Sequence, residues 1–333
     1  MRAMVLEHTA PASHSPLQLR EWPKPEPADR QIRVAIRCCG VCHTDLHIVE
    51  GELGLPKLPL VPGHQIVGIV EACGSSAHKF REGDRVGVPW LFRVDGKCPY
   101  CRMEQENLCD HGEFTGLSVD GGYAEYTVVD EDFAYSLPST FDDAHAAPLL
   151  CAGVIGYRAF RLSGARPGDR VGLYGFGASA HIVLQFARHQ GYEVYVFSRG
   201  EAHRQLALRL GAAWAGDAKD DAGVNLDAAI IFAPAGGLVP PALKATRKGA
   251  TVALAGITMS PIPQLGYELL YEERVLRSVA NSTRRDVQEF LELAAEVPVE
   301  TEITQFGLEQ ANLVLQNLQS SKINGAGVLR ISN

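Results

Sequence analysis

A chain of 333 residues, 46% hydrophobic and 21% charged, is long enough for two domains and has the composition of a globular protein. Its formal net charge of -8 gives no electrostatic basis for binding nucleic acid or an anionic membrane surface. No apolar run is long enough to span a bilayer and MRAMVLEHTA lacks the apolar core of a secretory leader, so a cytoplasmic protein is expected, with its eight cysteines read as thiols or thiolate ligands.

In the first 150 residues, QIRVAIRCCG, QIVGIVEACG, GDRVGV and GGYAEYTVVD alternate or run apolar and stop at Gly, Asp or Pro. Such segments predict short strands in a β-rich domain. WPKPEPADRQ, Pro-rich and charged, reads as a surface loop. From about Pro148 strands alternate with helical patterns: DRVGLYGFGASAHIVLQFARHQG, then EVYVFSRGEAHRQLALRLGA, then LDAAIIFA and ATVALAGI, each close to a helical stretch. That alternation predicts βαβ units and a doubly wound parallel sheet, hence an α/β fold. RDVQEFLELAAE predicts a helix, and AGVLRIS a last strand that rejoins the first domain. The expected division is 1–150 with 284–333, and 151–283.

Gly175-Phe-Gly177-Ala178-Ser179-Ala180 follows the strand RVGLY and opens a helix, the context a dinucleotide fingerprint requires. The glycines let the backbone turn and approach a pyrophosphate, which then meets the helix N-terminus. After the next strand, where an acid would hold the ribose hydroxyls of NAD, stand Ser198 and Arg199. A hydroxyl and a guanidinium accept a 2′-phosphate, so NADP is favoured, with NAD the alternative if Arg199 is only a solvated charge.

DGKCPYCRMEQENLC carries Cys98, Cys101 and Cys109 at a spacing typical of zinc sites. Cys42 and His64 lie in GVCHTDLH and PGHQIVG, and Cys151 in APLLCAGVIGYRA. Singly they mean little, but in this order, with the fingerprint beyond Cys151, the chain resembles the zinc-dependent alcohol dehydrogenases of the medium-chain dehydrogenase/reductase superfamily, most of all their bacterial branch. The resemblance runs from CCGVCHTDLH through essentially the whole chain.

What the resemblance implies is a GroES-like catalytic domain joined to a Rossmann cofactor domain. Cys42, His64 and Cys151 match catalytic zinc ligands that leave a fourth position open. Thr44 matches the hydroxyl that bonds the alcohol, His47 the end of the proton relay, and Asp45 the carboxylate that orients His64. His43 matches a residue beside the pyrophosphate; Gly256, Ile257 and Asn281 are further implied cofactor contacts. Trp90, with Leu53 and Leu117, is the implied apolar substrate wall, suited to primary alcohols, aldehydes and aryl ketones. The family's second, structural zinc has four cysteines, and the overlay puts Asp95 on the first and Cys98, Cys101 and Cys109 on the rest. Carboxylate is an acceptable zinc ligand, so Cys₃Asp is expected to close that site; the alternative is a loop without metal. Cys38, Cys39 and Cys73 read as core residues.

Four positions depart from the family pattern: Gln65 for a glutamate, Ile155 for a threonine, Ala326 for an arginine, and Asp95 for a cysteine. The expected activity is hydride transfer between a small alcohol and NADP, or back to an aldehyde or ketone, in a homodimer or homotetramer. The rivals are a zinc-free reductase of activated double bonds and a cofactor-binding protein without turnover.

Overall fold

The computed structural model describes residues 1–323 and 325–332. It divides into two units, Met1–Cys151 with Ser282–Ala295 and Thr301–Asn333, and Ala152–Asn281 with Glu296–Glu300. Cys151 thus groups with the first unit and 296–300 with the second, unlike the division drawn from sequence.

In the first unit β1 (Arg2–Leu6) and β2 (Leu17–Glu21) form an antiparallel hairpin. β3 (Gln31–Val41) alternates half-buried and buried residues, as a strand with one face on a core must. It is followed by α1 (His43–Glu50), β4 (Gln65–Cys73), β5 (Arg85–Val88) and β6 (Leu91–Arg93). Then come α2 (Pro99–Arg102), β7 (Glu113–Phe114), β8 (Tyr126–Asp130), β9 (Tyr135–Ser136) and α3 (Asp143–Ala146).

The second unit opens with α4 (Ala152–Leu162) and alternates β10 (Arg170–Tyr174), α5 (Ala178–His189), β11 (Glu193–Phe197), α6 (Glu201–Arg209) and β12 (Trp214–Gly216). β13 (Leu226–Ile231), α7 (Val239–Ala245), β14 (Thr246–Leu254) and β15 (Val275–Ser278) complete it. All neighbouring pairs in its six-stranded sheet, ordered β12-β11-β10-β13-β14-β15, are parallel. The order reverses on either side of β10, which is where such sheets bind ligands. Parallel strands covered on both faces must be continuously apolar, and β10 and β13 are buried almost throughout.

After α8 (Arg284–Glu296) the chain returns through β16 (Ile303–Gly307), α9 (Ala311–Gln319) and β17 (Ala326–Arg330) to the first unit. β17 pairs with β3, so the last strand rejoins the first sheet, which runs β16-β17-β3-β4-β5-β9 with β8 also on β3. Ala326 is buried in that strand. Cys38 and Cys39 are buried in β3, and Cys73, the last residue of β4, packs half-buried against the core, its thiol 3.6 Å from the Phe80 carbonyl. Among the described residues no helix is long and apolar enough to cross a membrane.

Candidate active site and metal centres

β3 ends one residue before Cys42, which becomes the N-cap of α1. The cap is reciprocal: the Cys42 sulfur accepts from the Thr44 N–H at 3.3 Å, and Asp45 Oδ2 accepts from the Cys42 N–H at 2.9 Å. This is a capping box with sulfur in place of the usual hydroxyl, and it sets a thiolate at the positive end of a helix. Pairing of Gly40 with Gln65 across β3 and β4 brings His64 alongside. His64 is fully buried; its Nδ1 donates to Asp45 Oδ1 at 3.0 Å, and its Nε2 lies 3.3 Å from Cys42 Sγ. Cys151 Sγ completes the group, 3.9 Å from Cys42 Sγ.

A tetrahedral ion with Zn–S about 2.3 Å and Zn–N about 2.0 Å needs donor–donor edges of about 3.5–3.8 Å, which these separations approach. The three donor atoms lie within 4.8 Å of one another and could hold a metal ion. The hydrogen bond from Cys151, aided by His64 and Thr44, drives the Cys42 thiol well below its ordinary range against the opposing effect of burial. Cys151 moves up because it donates to Cys42 and is buried. Burial pulls His64 down, but the Asp45 carboxylate and the Cys42 thiolate outweigh it and push the imidazole up to about 10. Burial raises the Asp45 carboxyl, while His64 and the Cys42 N–H pull the other way. The protons on His64 and Cys151 are those that a dication bound by these three donors would displace.

Aromatic and apolar side chains pack around His64, and polar side chains follow Cys42 along α1. The Trp90 ring meets His64 edge-on at 4.8 Å and stacks on Phe114 at 5.3 Å, and Leu53 and Leu117 pack half-buried on the same core. Thr44 is buried in the first turn of α1. His47, one helical turn on, has Nδ1 2.5 Å from Glu52 Oε2, and His43 is exposed with its ring 6.5 Å from that of His47. Glu52 escapes sequence reading; the signal was an acid just past Gly51, the left-handed C-cap that folds the chain back over α1. Gln65 is buried, and its Nε2 has no hydrogen-bond partner among the described residues. Its side chain fills the space above Gly40, where an added Cβ would come within 2.7 Å of Gln65 Oε1.

A second group, Asp95, Cys98, Cys101 and Cys109, also has donor atoms within 4.8 Å of one another. Asp95 Oδ1 accepts from the N–H groups of Lys97 and Cys98, both at 2.9 Å, which holds its carboxyl well below the usual range. The Cys98 sulfur caps α2, accepting from the Cys101 N–H at 3.4 Å, and this bond lowers its thiol. Burial and the neighbouring thiols push Cys101 up to about 12. Glu106 ties the lobe to α8: its carboxylate accepts from the Arg284 backbone N–H at 2.9 Å and from Nε at 3.3 Å. One carboxylate oxygen and three thiols are four donors that could hold a metal ion, the number a closed zinc site takes.

In the second unit Gly175 sits at φ +88°, and a Cβ there would lie 2.9 Å from Ala233. Gly177 is the N-cap of α5, and a Cβ on it would meet nothing within 4 Å, which leaves the helix N-terminus open to a phosphate. Ala178 and Ser179 form the first turn, and Ala180 after them is buried. Ser198 and Arg199 follow β11; Ser198 is buried and Arg199 exposed, with no side-chain partner among the described residues. Gly256 and Ile257 line a cavity of about 290 Å³ past the ends of β14 and β15, and Asn281 takes a left-handed φ of +50°. Ile155 lies half-buried on α4.

Residues 28–139 match the alcohol dehydrogenase GroES-like domain, and residues 180–296 match the zinc-binding dehydrogenase family. A probable alcohol dehydrogenase of Mycobacterium tuberculosis is 46% identical over 337 residues, covering 99% of this chain and 97% of the relative. A cinnamyl alcohol dehydrogenase of Sorghum bicolor superposes with a TM-score of 0.90 at 28% identity, covering 99% and 97% of the two chains. A CAD from Helicobacter pylori complexed with NADP(H) superposes with a TM-score of 0.86 at 26% identity, covering 99% of each chain. With relatives of this similarity along its whole length, the chain belongs to the zinc-binding alcohol dehydrogenases of the medium-chain superfamily and is an oxidoreductase.

Proposed function

We propose that this protein is an NADP-preferring alcohol dehydrogenase working mainly on small alcohols and aldehydes, with Cys42, His64 and Cys151 holding a catalytic zinc and Asp95, Cys98, Cys101 and Cys109 a structural one. The observation that carries the reading is the convergence of two thiols and a carboxylate-oriented imidazole within 4.8 Å, three protein ligands that leave a coordination position for substrate. When bound, the zinc polarises an alcohol or carbonyl oxygen and the nicotinamide exchanges hydride.

The chain's own residues do the rest. Asp45 fixes the His64 tautomer that presents Nε2 to the metal. The Thr44 hydroxyl orients the reacting oxygen and carries its proton. His47, with Glu52 at its Nδ1, is the exit for that proton, because an imidazole against a carboxylate can take a proton on one face while held on the other. Trp90 and Phe114 keep water from the site and favour alkyl and aryl aldehydes over charged substrates. Arg199, exposed beside buried Ser198, is available to a 2′-phosphate.

The proposed assembly is a homodimer or homotetramer. What supports it is the open edge strand β15, with Val275 exposed and Tyr267 and Tyr271, in the segment before it, 74% and 62% exposed, apolar side chains beside an open edge that favour pairing with a second copy. The proposed compartment is the cytoplasm, in keeping with eight free cysteines.

The test is metal content together with reduction of a panel of aldehydes by NADPH and NADH. Two zincs per chain with NADPH-preferred turnover are expected. Cys42→Ala should remove one zinc and abolish turnover while NADPH still binds; turnover that survives it would refute the metal mechanism.

A further inference from the structure

Past β11 the chain reads Ser198-Arg199-Gly200-Glu201-Ala202-His203-Arg204, a turn that carries an acid as well as the proposed phosphate-binding cation. Glu201 stands at the start of α6, three residues beyond Ser198. A carboxylate at the end of the second strand of a dinucleotide fold bonds ribose hydroxyls and repels a 2′-phosphate, so an unmasked Glu201 would work against Arg199. Arg204 prevents this. Its Nε and Nη2 donate to Glu201 Oε2 at 3.1 and 2.6 Å, and Gln205 Nε2 holds Oε1 at 2.7 Å. Its Nη1 donates to the carbonyls of Ser198 and Arg199 at 2.8 and 3.1 Å.

We infer that Arg204 is a positioning residue for cofactor selection, drawing the Glu201 carboxylate away from the ribose and fixing the Ser198–Arg199 peptide so that this turn offers the 2′-phosphate cation and hydroxyl only. The inference rests on the NADP reading above. Arg204 does not itself grip the phosphate: all three guanidinium nitrogens are already engaged, and the side chain is 24% exposed. Arg199 is the exposed guanidinium with no partner among the described residues, so the two arginines divide the work, one binding and one bracing. A lysine cannot brace in the same way, because one ammonium does not span two carbonyls and a carboxylate in the fixed fork of a guanidinium.

Glu201 is itself well exposed, at 65%, so solvent screens its repulsion, and the expected effect is about tenfold rather than thousandfold. Dissociation constants for NADPH, NADH and the fragment 2′,5′-ADP are measured on the full chain by calorimetry, which needs no turnover. Arg204→Met should weaken NADPH and 2′,5′-ADP about tenfold and NADH less than twofold. Adding Glu201→Gln should restore most of the loss, a rescue that general loosening of the loop would not allow. Arg204→Lys should fall between, and it serves if the Met variant does not fold. Equal weakening of NADPH and NADH, or no rescue by Glu201→Gln, overturns the inference while the NADP reading stands. A parent that binds NADH more tightly than NADPH, or an Arg199→Ala variant that loses both alike, refutes the NADP reading, and the role of Arg204 falls with it.

Discussion

Asp45→Asn tests the site at its most interdependent point. Asp45 is fully buried and both of its oxygens are used, Oδ1 by His64 Nδ1–H at 3.0 Å and Oδ2 by the Cys42 N–H at 2.9 Å. An asparagine has one acceptor oxygen and one donor amide. If its oxygen caps Cys42, its NH₂ faces His64 Nδ1 and forces the proton onto Nε2, the atom turned to Cys42 Sγ and the proposed metal. If the amide is flipped, two N–H donors meet at Cys42 and the cap of α1 is lost. Either arrangement leaves at least one buried donor unmatched, a cost of about 1–3 kcal/mol in stability. The first also lowers metal affinity by about 10–100-fold, or about 1.4–2.7 kcal/mol. Zinc release to a colorimetric chelator gives the readout, with the zinc proposed for the Asp95 lobe as an internal control for general unfolding. Release of one zinc at the parental rate from a variant with parental stability would refute the argument.

The remaining predictions concern other parts of the chain. Asp95→Ala should release the lobe's metal at least about tenfold faster and leave one zinc per chain after dialysis, with the catalytic zinc retained; two retained zincs would exclude Asp95 as a ligand. His181 on α5 is buried, donates through Nδ1 to the Gly177 carbonyl at 3.3 Å, and is held down to about 4 by that burial. Its folded value lies below the unfolded 6.5, so its neutral form contributes fully above pH 6.5, and stability falls by about 3 kcal/mol as the pH drops from 6.5 to 4. Urea unfolding of His181→Gln should show a flatter decline across that window, and an unchanged slope would mean that another group titrates there.

Much of this was legible in sequence because the signals are local. Period-two strands, the strand-to-helix turn at Gly175, and a cysteine followed at once by Thr44 and Asp45 each depend on neighbours a few residues apart. The helical start at Cys42 was nevertheless missed as secondary structure, because sulfur is not a usual cap and HTDLHIVE has little amphipathic contrast. Glu52 was missed because its contact with His47 depends on the chain reversing at Gly51, and Gln65 was noticed only as a substitution, its buried amide being invisible until β3 and β4 were paired. Cys73, read as core from an apolar strand, packs on that core but only half-buried, because the end of its strand is partly open.

By itself, then, the sequence determined the residue types and their order: thiols and an imidazole of the kinds that bind zinc, glycines at a strand-to-helix turn, and a cation after the next strand. The tertiary structure decided which of these meet. Cys42 and Cys151 are 109 residues apart, and only the folded chain brings their sulfurs to 3.9 Å. It also decided that Arg199 is open while Arg204 is spent on Glu201. The physical reason is that spacing encodes contacts made within a turn or a strand, whereas which of two arginines stays free is settled by neighbours that exist only once the chain has folded.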